Sequence, residues 1–144
     1  MISISYPPHL FNIKAHNERE IIFDECRKIW VTLTPEEWVR QNLLQYLIQI
    51  MKYPQSLIAV EKEISLGDTK KRFDIVVYKD YKPWMIVECK EKNVVLNDAV
   101  ITQILNYNII LQVQYLVITN GNETHALQLT NGGFTWIEKL PEFQ

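Results

Sequence analysis

The chain has 144 residues, 47% of them hydrophobic, and a formal net charge of −2. That length supports one domain with a substantial core, and no run is long and apolar enough to span a membrane. The faintly acidic balance excludes a domain that grips duplex nucleic acid through overall charge, because such domains are usually basic.

The opening Met1-Ile2-Ser3-Ile4-Ser5-Tyr6-Pro7-Pro8 has neither a basic n-region nor an apolar h-region, so no signal peptide is expected. Two distant cysteines offer no disulfide framework, and a reducing cytoplasm is the expected setting. Cys26 and Cys89 read as small hydrophobes. In that compartment the sequon Asn122-Glu123-Thr124 carries no meaning.

In chain order, a hairpin is expected first, over residues 10–24. Phe11–Lys14 faces Glu20–Phe23 across His16-Asn17-Glu18. Thr34-Pro35-Glu36-Glu37 then announces a helix: Thr34 suits the N-cap, Pro35 the first helical position, and Glu37 completes a capping box. Apolar residues recur at Val39, Leu43, Tyr46/Leu47 and Ile50, and the helix should stop near Lys52, ahead of Pro54. A strand over Leu57–Ile64 turns at Gly67-Asp68. Two apolar strands follow, Arg72–Tyr78 and Trp84–Lys90, joined by Lys79–Pro83. A second helix is expected over Asn97–Leu111, with Val100, Ile104, Tyr107 and Leu111 on one face. Tyr115–Thr119 reads as a short buried strand, and Ala126–Leu129 and Phe134–Ile137 as two more. The order helix, three antiparallel strands, helix, strand predicts an α/β sandwich in a single domain, 1–144: hairpin 10–24, core 34–120 and terminal strands 124–138. The strand after the helical crossover should lie parallel to the strand ending at Cys89.

Asp74, Glu88 and Lys90 interrupt these apolar strands where a buried sheet least tolerates charge. Folding the hairpin about Tyr81 sets Asp74 directly opposite Glu88, with Cβ atoms about 4.5–5.5 Å apart. At an effective dielectric near 20, two carboxylates at that range repel by roughly 3 kcal/mol. A cation between them, or a proton on one of them, is therefore expected. The side-chain period of two turns Lys90 to the face of Glu88 and Cys89 to the other.

A helix, a hairpin carrying Asp-x13-Glu-x-Lys and a helix with Gln-x3-Tyr resemble the PD-(D/E)xK nuclease superfamily. More narrowly, Thr34-Pro35-Glu36-Glu37-Trp38-Val39-Arg40-Gln41, Phe73-Asp74-Ile75-Val76-Val77, Val87-Glu88-Cys89-Lys90 and Ile118-Thr119-Asn120-Gly121 resemble type I restriction enzyme R-subunit N-terminal domains. Phe73 stands where the superfamily's name-giving proline would be. The resemblance implies a restriction-endonuclease-like α-β-β-β-α-β core, a central mixed sheet flanked by helices, and metal-dependent cleavage of DNA. Asp74, Glu88 and the Cys89 carbonyl would hold Mg²⁺, with Mn²⁺ as a substitute, and Lys90 would act on water and phosphate. Glu37 matches the helical glutamate of related nucleases, and Gln103 and Tyr107 match residues that approach the substrate backbone. No Gly-x4-Gly-Lys-Ser/Thr loop exists, so no ATP is expected at such a site.

Arg72 shares a face with Asp74 by alternation and reads, with Lys71 and Arg40, as a contact to DNA phosphates. Ordinary packing also accounts for Tyr107, capping for Glu37, and a solvated turn for Lys70-Lys71. Glu36 is expected to point about 100° away from Glu37. Glu61 and Glu63 alternate along the first strand of the core; they either look toward the site or, more cheaply, occupy an exposed strand face. His9, His16 and His125 lack zinc-ligand spacing, and the four tryptophans read as packing residues. Three functions stay open: a nuclease, a catalytically silent nucleic-acid- or protein-binding subunit of the same fold, and a subunit served by a motor or specificity partner. Homodimerisation is a further possibility, because one active site cuts one strand.

Overall fold

The computed structural model describes the backbone of residues 1–144 and the side chains of all of them except Leu66, Leu105 and residues 107–110. Six strands make the central sheet, in the order β4-β5-β6-β7-β8-β9. They are β4 (Ile58–Leu66), β5 (Thr69–Lys79), β6 (Lys82–Cys89), β7 (Tyr115–Thr119), β8 (Thr124–Thr130) and β9 (Gly133–Ile137). The β6–β7 pair is parallel, as a helical crossover requires, and the other pairs are antiparallel.

Alternation along these strands builds two apolar layers. Ile75, Val77, Met85, Val87, Cys89 and Val117 pack with Val39, Leu43, Leu44 and Leu47 of the first helix. Val76, Ile86, Leu116, Ile118 and Leu127 pack with Ile101 and Ile104 of the second, α2 (Asp98–Leu111). The helices therefore cover opposite faces of one mixed sheet.

The first helix, α1 (Pro35–Gln45), begins as expected, with the Thr34 hydroxyl accepting the Glu37 backbone N–H at 3.0 Å. From Tyr46 to Ile50 it continues as a π-helix, with the Met51 N–H donating to the Tyr46 carbonyl at 3.1 Å. The wider turn rotates the last residues off the apolar stripe. Leu47 is buried, whereas Ile50 is 51% exposed.

The N-terminal hairpin is one part of a separate three-stranded sheet: β1 (Ile13–His16), β2 (Arg19–Asp24) and β3 (Ile29–Thr32). The third strand was not expected. It forms because Asp24 accepts the backbone N–H groups of Cys26 and Arg27, at 2.7 and 2.8 Å, and turns the chain back. The β5–β6 turn also differs, being two residues, Asp80-Tyr81, both at positive φ. A bulge between Val77 and Tyr78 offsets this shorter turn, so the strand ends keep the register that symmetry about Tyr81 predicts.

Candidate functional site

Ile75 pairs with Val87, and one further step along β5 and β6 sets Asp74 opposite Glu88. Both side chains are buried. Alternation breaks at this point. Phe73 lies in the α2-side layer, Ile75 in the α1-side layer, and Asp74 sits between them, opposite Glu61, whose φ is +55°. The irregular strand there lets Asp74 reach Arg40 of α1 while its carboxyl stays within hydrogen-bond range of Glu88.

Besides the hydrogen bond between the two carboxyls, each has partners of its own. Asp74 Oδ1 accepts from Arg40 Nη1 at 2.6 Å, and Oδ2 accepts from the Cys89 backbone N–H at 2.8 Å. Glu88 Oε1 accepts from Lys71 Nζ at 3.0 Å. Burial raises the Asp74 carboxyl above its ordinary value, Glu61 adds to the rise, and the Cys89 N–H and Arg40 oppose it. Burial likewise pushes Glu88 up to about 7; Asp74 adds to this, and Lys71 and Lys90 oppose it. With Asp74 fixed by an arginine and an amide, the proton of the pair belongs on Glu88. The repulsion foreseen across the hairpin is thus answered by flanking cations and by a Glu88 carboxyl raised toward its protonated form.

On the α1 side the network is closed. Arg40 grips Glu37 in a fork, Nε to Oε2 at 2.8 Å and Nη2 to Oε1 at 2.6 Å, and also pairs with Asp74 and Glu61. Arg27 joins Glu37 at 3.1 Å to Asp24 at 2.7 Å, and Gln41 donates to both acids. Burial alone would raise Glu37, but Arg40, Gln41 and Arg27 outweigh it and hold the carboxyl below its ordinary range.

This arrangement revises three expectations. The Glu37 carboxylate closes no capping box; it turns to the arginines, and Arg40 stands between it and Asp74. Arg40 is not a surface contact, because its side chain is only 10% exposed and its guanidinium is spent on three carboxylates. Glu36 is the helical acid in the field of the pair. Its carboxyl is raised by burial and then by Asp74, and lowered by Arg40 and Lys90.

The other expected residues divide. Lys90 follows β6 and donates its backbone N–H to the Thr119 carboxyl-end carbonyl of β7 at 2.8 Å. Its half-buried side chain makes no ion pair among the described residues. Lys71 points inward to Glu88, with Nζ 4.8 Å from the Phe73 ring centroid. Arg72 is exposed and lies 3.7 Å from Glu61. Gln103 is exposed on α2 and touches none of these groups among the described residues; the Tyr107 side chain lies outside them. Of the two readings left open for Glu61, the structure takes the one toward the site: it joins the cluster through Arg40.

Among the described residues no three His, Cys, Asp or Glu side chains form a metal cage. Two hard carboxylates with a backbone carbonyl still suit Mg²⁺, which keeps several waters and needs only one or two carboxylates. Burial first, and then Asp74, raises the Glu88 carboxyl, and a dication held between the two acids would favour its charged form. The donor set fits.

Comparison with known proteins bears on the fold and the family. A crystal structure from Anabaena variabilis ATCC 29413, described as a candidate nuclease of DUF820, superposes with a TM-score of 0.50. It is 11% identical, over 88% of this chain and 80% of that one, a likeness of fold. The fold is of the PD-(D/E)xK type. No helix among the described residues is long and apolar enough to cross a membrane. No curated protein sequence matches the chain. The family model for the type I restriction enzyme R protein N terminus matches residues 35–141, from α1 to the last turn beyond β9. The chain belongs to that family.

Proposed function

We propose that this nuclease-like module is a metal-dependent deoxyribonuclease, hydrolysing phosphodiester bonds of DNA in the cytoplasm. The observation that carries the reading is the buried Asp74–Glu88 pair at the end of the sheet, with Lys90 two residues beyond Glu88.

Asp74, Glu88 and the Cys89 carbonyl would hold Mg²⁺, or Mn²⁺ in its place. Bound there, the ion polarises the scissile phosphate and lowers the pKa of a water. The chain's own groups do the rest. Arg40 and the Cys89 N–H fix the Asp74 carboxylate from two sides, so it needs no reorganisation when substrate arrives. Lys71 holds Glu88 in place. Lys90, a mobile point charge, orients the attacking water and offsets the charge that grows on the phosphoryl oxygens. Arg72, exposed beside Glu61, meets a phosphate of the bound strand.

A second reading has one observation in its favour: Asp74, Glu88, Glu37 and Glu61 each already have a basic partner in the protein. On that reading the module binds DNA or a motor or specificity partner and does not cut. Incubating the pure chain with supercoiled plasmid, linear duplex and single strands separates the two. Cleavage that needs Mg²⁺ or Mn²⁺, stops in EDTA and is absent from Asp74→Asn supports the nuclease. DNA binding without cleavage in either metal supports the silent module.

A further inference from the structure

Between the start of α1 and the loops that follow β6 and β7 lies a cleft of about 420 Å³ that the catalytic reading does not use. Its walls come from three places. Trp38 stands on the first turns of α1; Lys92 and Asn93 follow Lys90; and Gly121 and Asn122 follow β7, with Tyr6 alongside. The strands β6 and β7 are parallel, and Cys89 pairs with Thr119, so both loops leave the same end of the sheet. The cleft therefore begins two residues from Lys90.

Its lining has the character of a base-binding site. Trp38 is 44% exposed and lines the cleft. It is held from one side by Phe11, with ring centroids 5.1 Å apart, and Phe11 in turn by His9 at 4.6 Å. Braced by these edge-to-face contacts, Trp38 loses little freedom when a further ring covers it. The side-chain amides of Asn93 and Asn122 make no hydrogen bond among the described residues, so each can offer a donor and an acceptor to a base edge. Lys92 is exposed and makes no ion pair among the described residues. Gly121, at φ +90°, closes the floor. A Cβ there would meet Val39 Cγ2 at 3.3 Å, so the backbone lies as close to α1 as it can.

We propose that this cleft receives one unpaired nucleotide of the DNA next to the bond that is cut, its base stacked on Trp38 and its edge read by Asn93 and Asn122. A base inside a duplex cannot reach such a cleft without leaving its stack, which costs a few kcal/mol and costs least where the base is already unpaired. Stacking of a base on an aromatic side chain is tolerant of sequence and strong enough to set a preference. The substrate class is then DNA with a single-stranded nucleotide at the cut site: an end, a flap or a mismatch. This rests on the nuclease reading only for the placement of the cut.

Binding can be measured apart from cleavage, in the Asp74→Asn chain and in EDTA, by the fluorescence anisotropy of labelled oligonucleotides. One is fully paired; the other has a single unpaired nucleotide in the same sequence. The expected result is about tenfold tighter binding of the second, a preference lost in Trp38→Ala and kept in Trp38→Phe, with binding to the paired duplex unchanged in both. Equal affinity for the two DNAs would overturn the proposal. So would a Trp38→Ala loss that is the same on both. Should Trp38→Ala fail to fold, Asn93→Ala with Asn122→Ala must reduce the preference by itself, or the proposal falls. The metal-dependent cleavage assay on wild type stands apart: cutting without any Trp38 preference refutes the cleft alone, and the preference without cutting refutes the nuclease alone.

Discussion

The two sides of the Asp74–Glu88 pair are built unlike one another. Toward α1, Asp24, Arg27, Glu37, Arg40 and Gln41 form a closed, buried chain of charge-assisted bonds, and Asp74 is its last member. Toward the other side, Glu88 has Lys71, one long side chain that is 25% exposed, and Lys90 nearby without an ion pair among the described residues. The contrast separates holding from reacting. A carboxylate that must keep one position is clamped by a planar fork that cannot lose its proton. The groups that must move with water and phosphate are left as flexible point charges.

If that division is right, the largest effects on cleavage fall on the two residues at the boundary. Asp74→Asn should abolish metal-dependent nicking of plasmid, while the melting temperature in EDTA changes little, because Arg40 keeps Glu37 and Glu61 as partners. Lys90→Ala should lower the rate by orders of magnitude with Mn²⁺ affinity intact, because its amine acts in the transition state and not on the ground-state metal. Lys90→Arg, bulkier and planar, should be nearly as slow. A fully active Lys90→Arg beside a Lys90→Ala that lost metal and stability would make Lys90 a structural counter-ion. The reacting side would then be a second clamp.

The next effect is on stability, and it measures the contrast directly. Arg40→Met removes the one cation that, among the described residues, Asp74 and Glu37 share and leaves buried carboxylates uncompensated, which should cost about 3–5 kcal/mol in urea unfolding. Lys71→Met, on the looser side, should cost no more than about 1 kcal/mol, because its pair is partly solvated. Equal costs for the two variants would dissolve the distinction between the sides.

Much of this was legible in the sequence because it rests on short-range geometry. Thr34-Pro35 and Gly67-Asp68 mark a helix start and a hairpin turn by their own chemistry. A side-chain period of two fixes Asp74 against Glu88 once the hairpin is recognised. What was not legible depends on long side chains or on one extra residue. β3 is four residues between Lys28 and Leu33, too short for a period, and it exists because Asp24 caps a turn. The π-helical turn at Tyr46–Ile50 leaves the apolar spacing intact on paper and rotates Ile50 outward in space. Lys71 sits on an ordinary-looking basic turn yet reaches Glu88. Glu37 turns to Arg40 and Arg27, and Pro35 and Trp38 on the first turn of α1 share a cleft with Lys92 and Asn93. The helix face that looks exposed by periodicity therefore meets the loop after Lys90.

The smallest effect expected is a slope with pH, and it tests which member of the pair holds the proton. Glu88 has its carboxyl pushed from an ordinary 4.5 up to about 7 by burial and then by Asp74. Between those values the folded chain binds a proton that the unfolded chain has released, so stability falls as pH rises through that window and levels off above it. The sign is opposite to that of a carboxylate clamped by a base, such as Glu37, whose contribution is lost on the acid side. Melting temperatures in EDTA from pH 5 to pH 8 should therefore decline for wild type and run nearly flat for Glu88→Gln, with a residual slope from the raised Asp74 carboxyl. Mg²⁺ competes with that proton, so its stabilising effect on wild type should grow as pH passes 7 and vanish in Glu88→Gln. An undiminished decline in Glu88→Gln would place the proton on Asp74. The carboxylate that Arg40 grips would then be the one that titrates, and clamp and reacting group would lie on the same side.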